Sequence, residues 1–137
     1  MDWEKLIAYR NHYNRFSTRI GIVLEDVREG YALARKTVEV DDTNPLGHAQ
    51  GGVYFTLADS TAGSAAHTYG HKVVTLDASY HYYHAARPGD LLTAVATELH
   101  RGKTTAVFEV KVTDQRHTLL GSGTFTYYLF PEELDLH

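Results

Sequence analysis

The period of the hydrophobic pattern changes along the chain and divides it into elements. Residues 2–16 carry apolar side chains at near-helical spacing behind Asp2, a residue type favoured at helix N-caps, and predict a short amphipathic helix. Residues 19–40 are rich in Ile, Val, Leu and Thr, and the polar segment 28–30 interrupts them, which predicts two strands joined by a turn. Residues 41–50 have the composition of a loop.

The segment that begins at Gly51 and Gly52 has no polar face. On a helical wheel its apolar residues surround almost the whole circumference: Val53, Phe55, Leu57, Ala58, Ala62, Ala65 and Ala66. A helix that is apolar on most sides is typical of a buried position rather than of the surface. We therefore expect this segment to form the central helix of the protein.

After Gly70 the period falls to two, which indicates a long strand. The predicted apolar face of that strand carries Val74, Leu76, Ala78, Tyr80 and Tyr82. A turn at 88–90 follows, and further strand-like runs cover 91–100, 104–113 and 118–130. Short turns between consecutive strands favour antiparallel pairing. The pattern therefore predicts an α+β fold in which an antiparallel sheet of about six strands curls around one helix.

Composition excludes several classes of function. The chain has 137 residues, 43% of them hydrophobic, which fits a single domain over residues 1–137 with a real core. A net charge of -4 argues against nucleic-acid binding through broad phosphate neutralisation. Without cysteine there is no thiolate nucleophile and no zinc site with sulfur ligands. An acidic N-terminus and no apolar stretch near about 18 residues predict a cytoplasmic protein without a membrane partner.

Asp59 is the main candidate for chemistry because it is the only formally charged residue between Asp42 and Lys72. It lies in the middle of the apolar helix, and burying an ionised carboxylate is costly unless the group is paired. Such carboxylates occur often at functional sites. A structural alternative is a carboxylate that bonds a neighbouring backbone group or reaches a solvent-filled gap.

Gly51 and Gly52 stand where the same helix begins, and the first amides of a helix have no partner within it. Because glycine is unfavourable inside a helix, two glycines there suggest that a ligand approaches the backbone closely. An ordinary tight turn is the commoner meaning of such a pair. Asn44 in the preceding loop is a turn former by type, and its side-chain amide could also donate to a substrate carbonyl.

These residues carry a resemblance to a known family. The segment 44–52 (Asn-Pro-Leu-Gly-His-Ala-Gln-Gly-Gly), with Asp59 beyond it and with 74–77 and 88–92, is similar to the hotdog-fold acyl-CoA thioesterases of the phenylacetic-acid-degradation, or PaaI-like, group. The likeness extends over about residues 19–130, in the order of elements predicted above. It implies the hotdog fold and a thioester hydrolase acting on small or medium acyl-CoA, aromatic acyl groups included.

The resemblance also implies roles for single residues. The Gly51 amide and the Asn44 side chain would hold the carbonyl oxygen, while Asp59 and the Thr75 hydroxyl would handle the attacking water. Gln50 and Gly52 would border the substrate. The family usually has histidine where this chain has Gln50, a difference that concerns only that side chain, since the oxyanion donor is backbone.

Geometry adds an argument about assembly. Gly51 and Asp59 are eight residues apart, which is about 12 Å along a helix axis. A catalytic contact of about 3 Å therefore asks for two helices, one with the amide and one with the carboxylate, as a two-fold homodimer provides. The family's dimeric site agrees with this, and we expect at least a dimer and a tetramer formed as a dimer of dimers.

Other residues are weaker candidates for substrate binding. Arg101 and Lys103 form a basic turn that is either merely solvated or, as in the family's arrangement, close to the CoA phosphates. Tyr54 and Tyr82 could line an acyl pocket, although strand aromatics more often pack in a core. The nine histidines lack the spacing of a metal site, so we expect no metal and no cofactor, with coenzyme A only as part of the substrate.

Two other functions remain as alternatives. A hotdog enoyl-CoA hydratase would need histidine five residues after the carboxylate, where this chain has Ser64. A noncatalytic acyl-CoA-binding protein of the same fold is the other alternative, because a fold does not determine a function. Release of the CoA thiol from an acyl-CoA, compared with binding, separates that alternative from an enzyme.

Overall fold

The computed structural model describes residues 1–136 and contains three α-helices and six strands in that range. The helices are α1 (Trp3–Tyr13), α2 (Arg15–Arg19) and α3 (Gly51–His67). The strands are β1 (Val23–Arg28), β2 (Tyr31–Thr37), β3 (His71–Tyr82), β4 (Leu91–Arg101), β5 (Thr105–Thr113) and β6 (Leu119–Glu133). Their order along the chain is the predicted one.

All six strands form one antiparallel sheet in the order β1-β2-β4-β5-β6-β3. Helix α3 packs against the concave side, where it contacts every strand of the sheet. Eleven of its 17 residues are buried, and Leu57 and Ala58 meet Phe108 and Phe125 in a single core. The predicted α+β fold with one central helix is confirmed.

The N-terminal helix is shorter than predicted. Helix α1 ends at Tyr13, and Asn14 leaves helical geometry with φ -78° and ψ 72° before the short helix α2. The Asn14 side-chain amide donates to Ser60 Oγ at 2.9 Å, which ties this break to α3. Because the tie joins residues 46 positions apart, the hydrophobic period alone could not indicate it.

The single apolar face predicted for β3 is wrong. Register shifts between His71 and Val73 and between Thr75 and Asp77 interrupt the alternation. Consequently Val74 and Leu76 lie on the exposed side, while Ala78 and Tyr80 beyond the second shift pack against the core. A bulge adds one residue to a strand and so exchanges its two faces.

Strand β3 is the last strand of the sheet and pairs with β6 alone. It therefore carries a free edge together with the exposed apolar side chains of Val74 and Leu76, which are 48% and 56% accessible.

Within residues 1–136, no helix combines the length and the hydropathy that crossing a bilayer would require. That the chain is one domain and that it is cytoplasmic stay predictions.

Candidate functional site

Asn44 is held by its own loop in a way that leaves a donor available. Its Oδ1 accepts hydrogen bonds from the amides of Leu46 at 3.0 Å and His48 at 3.2 Å. The turn closes through the Gly47 amide, which donates to the Asn44 carbonyl at 2.9 Å, with Gly47 at φ 80°. Since the amide oxygen is occupied, the Nδ2 group is the part of this side chain that can meet a ligand.

The start of α3 presents backbone donors beside Asn44. Gln50 is the N-cap, with an exposed side chain that makes no capping hydrogen bond, and its own amide donates to the Asp42 carbonyl at 2.8 Å. Among residues 1–136 the amides of Gly51 and Gly52 have no acceptor. Free amides at a helix N-terminus favour an oxyanion.

A cavity of about 270 Å³ lies in front of these donors. Asn44, Gly51, Tyr54 and Tyr82 line it together with His48, Ala49, Tyr83, His84 and Ala85. The Tyr82 hydroxyl donates to the Gly51 carbonyl at 3.0 Å, and a Cβ at Gly51 would lie 3.4 Å from that hydroxyl. Tyr54 is buried and its hydroxyl accepts from the Ala86 amide at 2.7 Å. Both tyrosines predicted at an acyl pocket are thus wall residues of this cavity.

Asp59 lies two helical turns further on and is held by two hydroxyl groups. Its Oδ1 accepts from Thr75 Oγ1 on β3 at 2.8 Å and from the Tyr127 hydroxyl on β6 at 2.5 Å. The Tyr127 hydroxyl also lies 2.5 Å from the Asp59 backbone carbonyl. No residue within 1–136 occupies Oδ2, so one carboxylate oxygen is anchored and the other is open.

Tyr127 acts as a permanent donor in this arrangement. Burial, then the charge of Asp59 and its hydrogen bond, raises the pKa of Tyr127 well above its ordinary value. The ring stands edge-on to Phe108, with centroids 6.1 Å apart, which fixes the hydroxyl. The neutral hydroxyl groups of Thr75 and Tyr127 therefore orient the Asp59 carboxylate without neutralising its charge.

A cavity of about 240 Å³ opens beside Asp59 and is partly closed by the N-terminal helix. Arg10 from α1 reaches it and donates to the Ser60 carbonyl at 2.9 Å. A second guanidinium nitrogen lies 3.4 Å from His67 Nδ1. Gly63 is the α3 residue beneath these groups, and a Cβ there would lie 3.3 Å from the Tyr127 hydroxyl and 3.4 Å from Arg10.

The predicted site residues thus fall into two separate groups within one chain. Asn44 and Gly51 share one cavity with Tyr54 and Tyr82, whereas Asp59 and Thr75 share another with Arg10 and Tyr127. The helix between Gly51 and Asp59 spans about 12 Å. The chain therefore has two separate groups of candidate site residues, which we call half-sites: the oxyanion half (Asn44, Gly51) and the carboxylate half (Asp59, Thr75, Tyr127).

The basic turn lies in neither cavity. Arg101 pairs with Glu29 at 3.1 Å, and its guanidinium carbon lies 3.9 Å above the centre of the Tyr69 ring. Tyr69 in turn bonds Glu98. Lys103 is exposed at the tip of the turn. Among residues 1–136 no group of three or more His, Asp or Glu side chains could hold a metal ion.

Sequence reasoning missed three residues of the carboxylate half and its surroundings: Arg10, His67 and Tyr127. Arg10 lies on α1, His67 at the end of α3 and Tyr127 on β6. Residues of these types are common at such positions without a functional role. The one available signal was Gly63, a glycine in the middle of a buried helix, where close approach by another group is a usual reason.

A family model described as the thioesterase superfamily matches residues 46–120, more than half of the chain. This chain belongs to the thioesterase superfamily. It is a thioester hydrolase, and the match includes Gly51, Asp59 and Thr75. Helix α1 and Tyr127 lie outside the matched residues of the thioesterase model.

Two curated relatives agree with this membership. The chain is 30% identical to the acyl-coenzyme A thioesterase PaaI of Escherichia coli over 97 residues, which are 71% of this chain and 69% of PaaI. It is 33% identical to the 1,4-dihydroxy-2-naphthoyl-CoA hydrolase of Listeria monocytogenes over 103 residues, 74% of this chain and 84% of that protein.

Solved structures support the fold, and the 30% identity to PaaI supports the PaaI-like type. The E. coli PaaI structure has a TM-score of 0.90, covers 96% of this chain and 98% of its own at 24% identity, and confirms the hotdog fold. A hypothetical thioesterase from Streptococcus pneumoniae, solved with coenzyme A, has a TM-score of 0.84 at 28% identity and covers 90% of this chain and 98% of its own. Two mutants of that protein, one with an Asp-to-Ala change and one with a Thr-to-Ala change, each match at a TM-score of 0.76 and 31% identity. Each match covers 80% of this chain, with 90% of the Asp-to-Ala mutant and 89% of the Thr-to-Ala mutant.

Proposed function

We propose that the protein hydrolyses the thioester of small or medium acyl-CoA substrates, aromatic acyl groups included, to the free acid and CoA. The observation that carries this proposal is the carboxylate half, in which Thr75 and Tyr127 hold one oxygen of Asp59 and leave the other open beside a cavity. An anchored carboxylate with one free oxygen is suited to take a proton from water.

Each step of the reaction has a group to serve it. Water attacks the thioester carbon while Asp59 Oδ2 takes one of its protons. The carbonyl oxygen becomes an oxyanion that accepts from the Gly51 amide and from Asn44 Nδ2. When the C–S bond breaks the carbonyl re-forms, and the leaving sulfur takes the proton from Asp59, which restores the carboxylate.

A dimer would bring the two half-sites together. The oxyanion half and the carboxylate half open on different cavities of one chain, so each would complete its partner's site across a two-fold axis. The free edge of β3 with exposed Val74 and Leu76 is a surface suited to such pairing. A tetramer made of two such dimers belongs to the same proposal.

The Streptococcus pneumoniae relatives support both the ligand and the residues. One of those structures contains coenzyme A, and the two mutated residues are 16 positions apart in that protein's own numbering. Asp59 and Thr75, an aspartate and a threonine, are also 16 positions apart. In this proposal Arg101 and Lys103 meet the CoA phosphates, for which Arg101 would have to leave Glu29.

The decisive experiment measures free thiol released from acetyl-, hexanoyl- and phenylacetyl-CoA, beside the binding of each by calorimetry. The proposal is supported if the rate of thiol release is proportional to the concentration of wild-type enzyme and is lost in Asp59→Asn. Tight binding without thiol release would replace it with a noncatalytic acyl-CoA-binding protein. The hydratase alternative needs a histidine at position 64. The residue there is Ser64, which is buried and donates to the Ser60 carbonyl at 3.0 Å.

A further inference from the structure

His67, the last residue of α3, lines three cavities. It lines the 240 Å³ cavity beside Asp59, a cavity of about 590 Å³ that extends towards Phe130 and Leu134, and a cavity of about 200 Å³ under Tyr9 and Tyr13. The side chain is only 8% exposed. Among residues 1–136, His67 is the one lining residue that these three cavities share.

Arg10 determines which nitrogen of His67 carries the proton. A guanidinium has donors and no acceptor, so His67 Nδ1, 3.4 Å away, must offer its lone pair. Burial and the charge of Arg10 lower the pKa of His67 to about 3, so the ring is neutral at any physiological pH. The single ring proton is therefore on Nε2.

The Nε2–H group is a donor without an acceptor in the described part of the chain. Arg10 is the one hydrogen-bond partner of this ring within residues 1–136. Within residues 1–136 the fully enclosed, unpartnered side-chain atoms are Arg10 Nε, His71 Nδ1 and the Tyr80 hydroxyl, and His67 Nε2 is not one of them. Since His67 lines three cavities, a ligand atom that pairs with Nε2–H from one of them must be an acceptor.

We propose that His67, held in this tautomer by Arg10, is a specificity-determining residue that selects acyl groups carrying an oxygen acceptor near their far end. This inference rests on the proposed function and names the substrate class of the same site. Asp59 and His67 border one cavity but are eight residues apart, about 12 Å along the helix. An acetyl group cannot span that distance, whereas a medium-length acyl group can.

The preference follows from what a hydrocarbon tail would do. It would displace water from Nε2–H and leave a buried donor unpaired, which is costly, while a ketone or ether oxygen at the same place would pair it. We therefore expect the oxygenated acyl group to be favoured in kcat/KM by about tenfold or more. Helix α1, which supplies Arg10, lies outside the residues matched by the family model.

The test compares 7-oxooctanoyl-CoA with octanoyl-CoA, which differ only in a ketone oxygen. Wild type should prefer the first by about tenfold or more. In His67→Phe, which keeps a ring without a donor, the ratio should fall to about one. Arg10→Lys retains a donor to Nδ1 and should keep the preference. His12→Phe is the matched control, the same change at an exposed position of α1, and should leave the ratio unaltered.

Two results would overturn the inference: a wild-type ratio near one, or a folded His67→Phe protein that keeps the full preference. The tautomer is checked separately by ¹⁵N chemical shifts of His67, which should report a neutral ring protonated at Nε2. If no acyl-CoA is hydrolysed at all, the proposed function fails. The same ratio is then read from the binding of non-hydrolysable thioether analogues of the two substrates, and equal binding would reject the role of His67.

Discussion

The two half-sites of this thioesterase are built in opposite ways. The oxyanion half is local: Asn44 is oriented by amides two and four residues ahead of it, and Gly51 follows in the same loop-to-helix segment. The carboxylate half is assembled from distant parts of the chain, since Asp59 meets Thr75 16 residues away and Tyr127 68 residues away. One half depends on a turn and the other depends on the whole fold.

The difference also concerns which polar atoms are left open. In the oxyanion half, acceptors are satisfied and donors are free, whereas in the carboxylate half donors converge on Asp59 Oδ1 and one acceptor, Oδ2, is free. Free donors suit a developing oxyanion, and a free acceptor suits a proton from water. In the proposed reaction the two halves therefore have complementary roles, and mutations in them should have different effects.

The largest effect is expected at Asp59. Asp59→Asn keeps an oxygen that Thr75 and Tyr127 can bond but removes the base, so kcat should fall by about 10² to 10⁴. Steady-state thiol release measures it, with thermal unfolding to confirm that the variant folds. Asp26→Asn on β1, an exposed carboxylate, is the matched control and should retain wild-type kcat. Near-normal turnover in a folded Asp59→Asn protein would reject Asp59 as the base.

The next largest effect should come from removing the donor of the oxyanion half without disturbing its loop. Asn44→Asp preserves an acceptor for the amides of Leu46 and His48 but has no Nδ2, so kcat should drop by about 10² to 10³ at nearly unchanged stability. Asn44→Ala loses the turn contacts as well and should also unfold at lower temperature. Equal kcat in wild type and Asn44→Asp would mean that this side chain does not meet the oxyanion.

The same contrast explains what the sequence could predict. Asn44, Gly51, the central helix and the order of strands depend on residues close in sequence, so their patterns are visible in the chain. Asp59 was recognisable because burying a lone carboxylate in an apolar helix is costly, and such carboxylates often belong to functional sites. Its partner Tyr127 and the neighbouring Arg10, which bonds Ser60, were not recognisable, since nothing in the sequence of β6 or α1 indicates which residue of another element they contact. The β3 bulge was hidden for a similar reason, because strand register depends on the partner strand.

Mixing two inactive variants tests whether the halves meet across subunits. When Asp59→Asn and Asn44→Asp chains exchange, a mixed dimer would contain one site with both defects and one with neither. In an equal mixture about half of the dimers are mixed, and one of the two sites in each mixed dimer is intact. Activity should therefore return to about a quarter of the wild-type level. Differently tagged chains verify the exchange. Verified exchange with no recovery would place both halves of each site in one chain and would refute the cross-subunit proposal.

The smallest effect should follow loss of a single hydroxyl from the carboxylate half. Tyr127→Phe keeps the ring against Phe108 but removes the donor to Asp59 Oδ1, which Thr75 still bonds, so kcat should fall by only about tenfold. Thr75→Val should behave alike. The double variant frees Oδ1 completely and should lose more than the product of the two single losses, since each hydroxyl partly compensates for the other. Strictly multiplicative losses, measured as kcat for all four proteins, would show that the two donors orient the carboxylate independently.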